Sequence, residues 1–196
     1  VRILGIAGSP RHGSNSEIAL ENVLCGAKKH GALTKVIHIC GMKIFPCIHC
    51  DACAGTGECF ITDDAKQVFH EIEQADGIVI ASPIYFMGIP SQLKALIDRA
   101  QPLWCKKYLL RQQPLSGSIQ RRGLFVSVCG RTDGQTACAA ESTIKAFFTC
   151  LEIKYNGNVA FSGVERKAQI IENKEALSAA SRAGEEFASS VRFAKS

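Results

Sequence analysis

Four cysteines crowd into thirteen residues as Cys47-x2-Cys50-x2-Cys53-x5-Cys59. Three thiols at two-residue spacing can wrap one compact thiolate-binding object, as the C-x2-C-x2-C run of bacterial ferredoxins does for a 4Fe–4S cluster. The fourth follows after Gly55 and Gly57, whose freedom lets the chain fold back to the last iron. Zinc is the main metal rival, although structural zinc sites usually pair two knuckles across a longer span. Disulfides or free thiols are the third alternative. His49 lies inside the motif and is expected to face solvent rather than replace a thiolate.

A second chemical signature runs from Gly8 to Ser16 and combines small residues, hydroxyls and one obligate cation, Arg11. Helix N-termini carry unpaired N–H groups and a positive dipole end, so Ser9, Arg11, Ser14, Asn15 and Ser16 suit a terminal phosphate. Gly8 and Gly13 have Walker A spacing, but Ser14-Asn15 replaces the required Lys-Ser/Thr pair. The plain alternative is a well-capped helix start, since Ser14 and Glu17 stand at capping-box spacing. A third segment, Pro83-Ile84-Tyr85-Phe86-Met87-Gly88, offers a stiffened backbone, two adjacent aromatics and a glycine that permits close approach. It can supply the apolar surface and backbone polar groups that an isoalloxazine ring needs, or it is a tight turn whose aromatics merely pack. Cys129-Gly130-Arg131-Thr132-Asp133-Gly134 is a weaker third contact, with Gly130 its best candidate.

These segments need a scaffold. Arg2–Ala7, Thr34–Cys40, Gly77–Ala81, Gly123–Cys129 and Lys154–Phe161 read as short apolar strands, the last interrupted at Asn156-Gly157. Helical periodicity marks Leu20/Val23/Leu24/Ala27 and then Ala65/Val68/Phe69/Ile72. It recurs at Leu93/Leu96/Ile97/Ala100, in a helix ended or kinked near Pro102, and at Ala137/Ala140/Ile144/Phe147/Phe148/Leu151. A last helix opens near Asn173 and carries Leu177, Gly184, Phe187 and Val191. Asp63 and Asp64 precede the second helix, where its dipole favours negative charge. Strict strand–helix alternation predicts an α/β doubly wound parallel five-stranded sheet of order 2-1-3-4-5, with a Cys-rich insertion after strand 2. That topology places ligands outside the carboxyl ends of strands 1 and 3, where the unusual residues fall.

Composition agrees with one soluble domain: 196 residues, 46% hydrophobic and 21% charged. Val1 to Ala7 lack a charged n-region with a long apolar stretch, so no secretory leader is expected, and no run approaches the ~20 apolar residues of a membrane span. The expected location is cytoplasmic. Net charge of +5 is too mild to argue for nucleic acid. Lys106, Lys107, Arg111, Arg121 and Arg122 form an acid-free basic stretch, read as a solvated loop or as a docking patch for an anionic partner. The six scattered cysteines, Cys25, Cys40, Cys105, Cys129, Cys138 and Cys150, read as small buried hydrophobes.

The loop Gly8-Ser9-Pro10-Arg11 with Ser14-Asn15-Ser16 resembles the phosphate loop of the NAD(P)H-dependent FMN reductase branch of the flavodoxin-like superfamily. Ser82-Pro83-Ile84-Tyr85, followed by Leu93-Lys94 and Ile97-Asp98-Arg99, is similar to the stretch after that family's third strand. The cysteine run followed by Ile61-Thr62-Asp63-Asp64 resembles the iron–sulfur flavoprotein subgroup. The likeness covers the N-terminal half in register and the C-terminal half in element order. It implies a single FMN-binding domain over residues 1–196, a cluster-binding segment at 45–62, and ring contacts from residues 83–88. It further implies one FMN and one 4Fe–4S cluster per chain, held by Cys47, Cys50, Cys53 and Cys59, in homodimers or homotetramers.

The expected function is an FMN-dependent oxidoreductase passing electrons from ferredoxin or NAD(P)H to a small oxidant. A cluster-free NAD(P)H:FMN or quinone reductase and a redox-sensing flavin-binding protein are the alternatives. No side chain is an evident general acid or base; Tyr85 is expected to tune the flavin rather than to transfer a proton. Strand 2 lies at an edge, so a cluster there is expected to serve the flavin of a neighbouring subunit.

Overall fold

The computed structural model describes residues 1–117, 120–132 and 135–193, with the backbone alone at 135–138. The sequence readings at Asp133 and Gly134, and those of the Ala137 and Cys138 side chains, lie outside them.

Five parallel strands, β1 (Arg2–Ala7), β2 (Leu33–His38), β3 (Gly77–Pro83), β4 (Arg122–Val128) and β5 (Lys154–Phe161), pair in the order β2-β1-β3-β4-β5. β1, β3 and β4 are buried almost throughout, as near-continuous apolar runs in a parallel sheet should be, whereas β2 and β5 alternate like edges. Asn156-Gly157 inserts one extra residue into β5, shifting its register against β4 between Gly123 and Phe125. Backbone bonds continue past the strand ends: Gly8 N–H to the Ala81 carbonyl at 2.8 Å, and Ile84 N–H to that of Val128 at 2.9 Å. The loops that leave the carboxyl edge therefore start from fixed positions.

Side chains alternate across the sheet. Ile3, Val79 and Leu124 meet α1 (Asn15–Lys29) and α6 (Lys174–Phe193), while Leu4, Ile78 and Phe125 meet the core of α2 (Ala65–Gln74), α3 (Ser91–Asp98) and α5 (Gln135–Cys150). Among the described side chains, the apolar positions read as periodic are buried or packed against these cores, and Asn173 caps α6 by accepting the Ala176 N–H at 2.9 Å. The helix expected to end or kink near Pro102 ends: α3 closes at Asp98 and α4 (Gln101–Tyr108) begins. Pro102 falls in the first turn of α4, where a missing N–H costs no helical bond.

α1 and α6 touch through glycine. A Cβ on Gly184 would stand 1.8 Å from the Val23 carbonyl oxygen, and one on Gly26 would stand 1.9 Å from that of Ser181. Backbone cannot swing aside as a side chain can. Gly184→Ala should cost about 1–3 kcal/mol, read in thermal unfolding as a Tm several degrees lower.

Candidate functional site: a switch-point cleft and a cysteine pocket

A cleft of about 620 Å³ opens at the carboxyl edge of the sheet. Its first wall is the loop from β1 into α1. Ser14 is the N-cap, and its Oγ accepts the Glu17 N–H at 3.2 Å. The Glu17 carboxylate returns to the Gly13 N–H at 3.0 Å, one residue earlier than a standard capping box. This leaves the N–H groups of Asn15 and Ser16 without intrahelical partners. Ser9, Ser14, Asn15 and Ser16 are buried and Arg11 is exposed, and all five line the cleft. The Asn15 carboxamide, however, donates to the Arg166 carbonyl at 2.8 Å and accepts the Ile170 N–H at 3.1 Å. Asn15 thus offers its backbone, while its side chain is a strut that holds the segment after β5.

The second wall is a hairpin-like turn. Tyr85 and Gly88 exchange two backbone bonds of 2.9 and 2.8 Å. Between them Phe86 and Met87 have φ of 48° and 64°, a left-handed pair that normally calls for glycine or asparagine. Bulky residues held there carry strain of about 1–3 kcal/mol each, and such strain collects at ligand clamps. The turn leaves Tyr85, Phe86 and Met87 exposed, Phe86 completely. Pro83, Ile84, Tyr85, Phe86 and Met87 line the cleft; Gly88 does not. Within the chain, a Cβ on Gly88 would meet the Tyr85 carbonyl oxygen at an ordinary 3.6 Å. Gly88 lies on the return arm and closes the turn.

Gly130 completes the set with Val128, Cys129 and Arg131, so eleven of the twelve residues singled out in the sequence line one cleft. Val164 and Glu165 form a fourth wall that sequence reasoning missed. Val164 N–H bonds to the Cys129 carbonyl at 3.1 Å, and Gln169 Oε1 accepts the N–H groups of Glu165 and Arg166, each at 2.9 Å. Nothing in the spacing of Gly163-Val164-Glu165 signals this; only the buried Asn15 amide demands a partner.

The cysteine segment lies between β2 and α2. Cys47, Cys50, Cys53 and Cys59 line one pocket together with Ile48, Phe60, Ile61 and Pro102. The Asp51–Gly57 stretch forms a compact turn, with Gly57 N–H bonded to the Cys53 carbonyl at 2.8 Å. The His49 side chain is exposed, as expected. Among the described residues, no three of these sulfurs lie within 4.8 Å of one another. A single zinc ion with ~2.3 Å bonds would draw its thiolates to about 3.8 Å. The donor set, four thiols among apolar neighbours at wider spacing, suits a larger thiolate-bound object.

Arg99, named in the sequence only as the end of the family-like stretch after β3, fixes both ends of this segment. It donates to the Phe45 and Ile61 carbonyls, each at 3.1 Å, and pairs with Asp63. Asp63 also accepts the N–H groups of Phe45 at 2.9 Å and Ala65 at 3.0 Å. The pair's side chains are 2% and 1% exposed. Burial pushes the Asp63 carboxyl up, but the Arg99 bond and the two backbone N–H groups outweigh it and hold it below the usual carboxylate range.

A fifth thiol also enters. Cys105 on α4 is buried, and its Sγ lies 3.6 Å from Cys53 Sγ. Burial and then this contact push the Cys53 thiol up to about 11. The scattered cysteines are therefore not uniformly buried hydrophobes: Cys25 is exposed, and Cys40, Cys129 and Cys150 are half-buried.

The basic stretch does not form a docking patch. Arg121 is 4% exposed and donates to the carbonyls of Ala75, Glu73 and Ser116 at 3.2, 2.7 and 2.9 Å. It lies at the amino end of the sheet, opposite the cleft. Arg122 starts β4 and bonds to Asn156 at 3.0 Å. Lys107 Nζ is held by the Thr149 carbonyl at 2.6 Å, and Lys106 lies across Gly57. Of the five cations only Arg111 is exposed.

A doubly wound sheet with a switch-point cleft, a helix N-terminus at one end and exposed aromatics at the other, defines a flavodoxin-like architecture. Residues 1–163 match the NADPH-dependent FMN reductase family. The chain belongs to that family. It is 37% identical over 103 residues to an iron-sulfur flavoprotein of Methanocaldococcus jannaschii, a match spanning 53% of each chain. It is 34% identical over 153 residues to an iron-sulfur flavoprotein of Methanosarcina thermophila, spanning 78% of this chain and 74% of that one. The NAD(P)H:quinone oxidoreductase from Methanothermobacter marburgensis shares the fold, with a TM-score of 0.71 and 18% identity over 94% of this chain and 96% of that one. Among the described residues, no helix is long and apolar enough to cross a membrane.

Proposed function

We propose that this protein is an FMN- and 4Fe–4S-dependent electron-transfer oxidoreductase that moves electrons from reduced ferredoxin or NAD(P)H to a small oxidant. The observation that carries this reading is the convergence of four carboxyl-edge loops on one cleft, phosphate-like at one end and aromatic at the other. FMN accepts electrons in pairs or singly and a 4Fe–4S cluster passes one, so a protein holding both can join one-electron carriers to two-electron chemistry.

The chain's own residues divide the work. Arg11, the Ser14 and Ser16 hydroxyls and the free N–H groups of Asn15 and Ser16 receive the phosphate. Pro83 to Met87 pack against the ring, and Gly130 and its neighbours close the far side. Cys47, Cys50, Cys53 and Cys59 hold the cluster, kept in register by Arg99 and Asp63. Among the described residues none lines both the cleft and the cysteine pocket. This separation supports an assembly of two or four chains in which a cluster serves a neighbour's flavin.

Anaerobic purification followed by a visible spectrum, metal analysis and turnover assays tests the proposal. The expected result is a flavin spectrum with added broad absorption, about four iron and four labile sulfide per chain, and reduction by ferredoxin or NAD(P)H. Flavin with no iron, together with NAD(P)H turnover, would reduce the protein to a simple flavin reductase. Colourless material that cannot take up FMN would reject the reading altogether.

Loss of one charge-assisted bond to a phosphate costs about 1.5–3 kcal/mol. Arg11→Ala should therefore weaken FMN binding about 10- to 150-fold, measured by quenching of flavin fluorescence, with little change in Tm of the flavin-free protein because Arg11 is exposed.

A further inference from the structure

We infer that His12, Glu17 and His38 form a site for one divalent transition-metal ion of the zinc class, separate from both the cleft and the cysteine pocket. The three residues come from three segments that the fold brings together: the loop after β1, the first turn of α1, and the last residue of β2. β-sheet register pairs Ala7 with His38, which sets that imidazole beside the start of the loop carrying His12. One ligand atom from each of the three lies within 4.8 Å of the other two.

The carboxylate is already oriented. Glu17 Oε2 accepts the Gly13 N–H at 3.0 Å, while Oε1 faces His38 Nδ1 at 3.5 Å. Fixing the non-ligating oxygen is what an outer-shell hydrogen bond does in metal sites. The rings of His12 and His38 are 5.3 Å apart and tilted by 55°, so they converge rather than stack. An ion pair between Glu17 and His38 would need no third residue.

Two imidazoles and a carboxylate with an open position are the donor set of a zinc site, and nickel or cobalt would also accept it. Magnesium and calcium, which take oxygen ligands, would not. Bond lengths of ~2.0–2.2 Å put the donor atoms of a tetrahedral site about 3.3 Å apart. His12 is exposed and Glu17 and His38 are half-buried, so rotation of the His12 side chain supplies most of that closure. A bound ion would tie edge strand β2 to the loop and helix start of β1–α1.

Cobalt(II) is the probe that separates this site from the thiols, since thiolate-bound cobalt shows sulfur-to-metal charge transfer in the near ultraviolet. The native chain should take up one more equivalent of cobalt than His12→Ala or His38→Ala, with ligand-field bands in the visible and no added charge transfer. Zinc at saturating concentration should raise Tm by a few degrees in the native chain and not in His12→Ala. His12 is exposed, so that variant folds. Equal uptake by the native chain and both variants, or cobalt bound only through thiolates, would overturn the inference.

Discussion

Asp63→Ala and Arg99→Met should each lower stability by about 3–5 kcal/mol, because each leaves the other charge buried without its partner. For a chain of this size that is a fall in Tm of roughly 10 °C, visible by circular dichroism. A lost surface ion pair would cost far less, but these side chains are 2% and 1% exposed, and between them they bind both ends of the cysteine segment. The double variant Asp63→Leu with Arg99→Met should be less destabilised than either single change, because replacing both partners of a buried pair removes the uncompensated charge. The linkage to pH has a definite sign. The Asp63 carboxyl titrates below its unfolded value, so its stabilisation is present above about pH 4 and is lost as pH falls through the folded value. Tm of the native chain should drop as the pH is lowered from about 4, and the Asp63→Ala variant should lose less over the same range. Parallel curves for the two proteins would remove Asp63 from the account.

What the sequence discloses and what it conceals divide along a physical line. Strand order and helix faces follow from local periodicity, and the ligand edge follows from topology alone. That is why loops separated by about seventy residues can be assigned to one cleft before any contact is known. Arg99, Cys105 and Glu165 act through tertiary contacts between segments with no shared spacing. Arg99 is one more basic residue at the end of a helix until the fold threads a chain segment over it. Cys105 shares the composition of a packing thiol and becomes chemically distinct only beside Cys53. The basic stretch misleads for the complementary reason. Neighbours in sequence at a strand start point to different faces, and Arg121 turns inward to three backbone carbonyls.

The same line gives the cysteine variants their discriminating power. Replacing Cys47, Cys50, Cys53 or Cys59 by serine should remove nearly all iron and labile sulfide, since a 4Fe–4S cluster needs a thiolate on each iron. FMN binding should survive in all four, because none of these residues lines the cleft. Cys105→Ala is the informative partner. Its sulfur lies 3.6 Å from Cys53 yet Cys105 is buried on α4 and does not line the pocket that the other four line. Iron should therefore remain near the native content in Cys105→Ala and fall to background in Cys53→Ser, although the two sulfurs are in contact. Exposed Cys25→Ser should resemble the native chain and serves as the control for handling losses. Metal analysis of the native chain separates the remaining possibilities. About one zinc and no sulfide would point to a zinc site, whose thiolates would have to move closer than the sulfurs stand here. Iron retained in the serine variants at all four positions would take the ligand assignment away from this segment and leave its cysteines as packing or redox thiols.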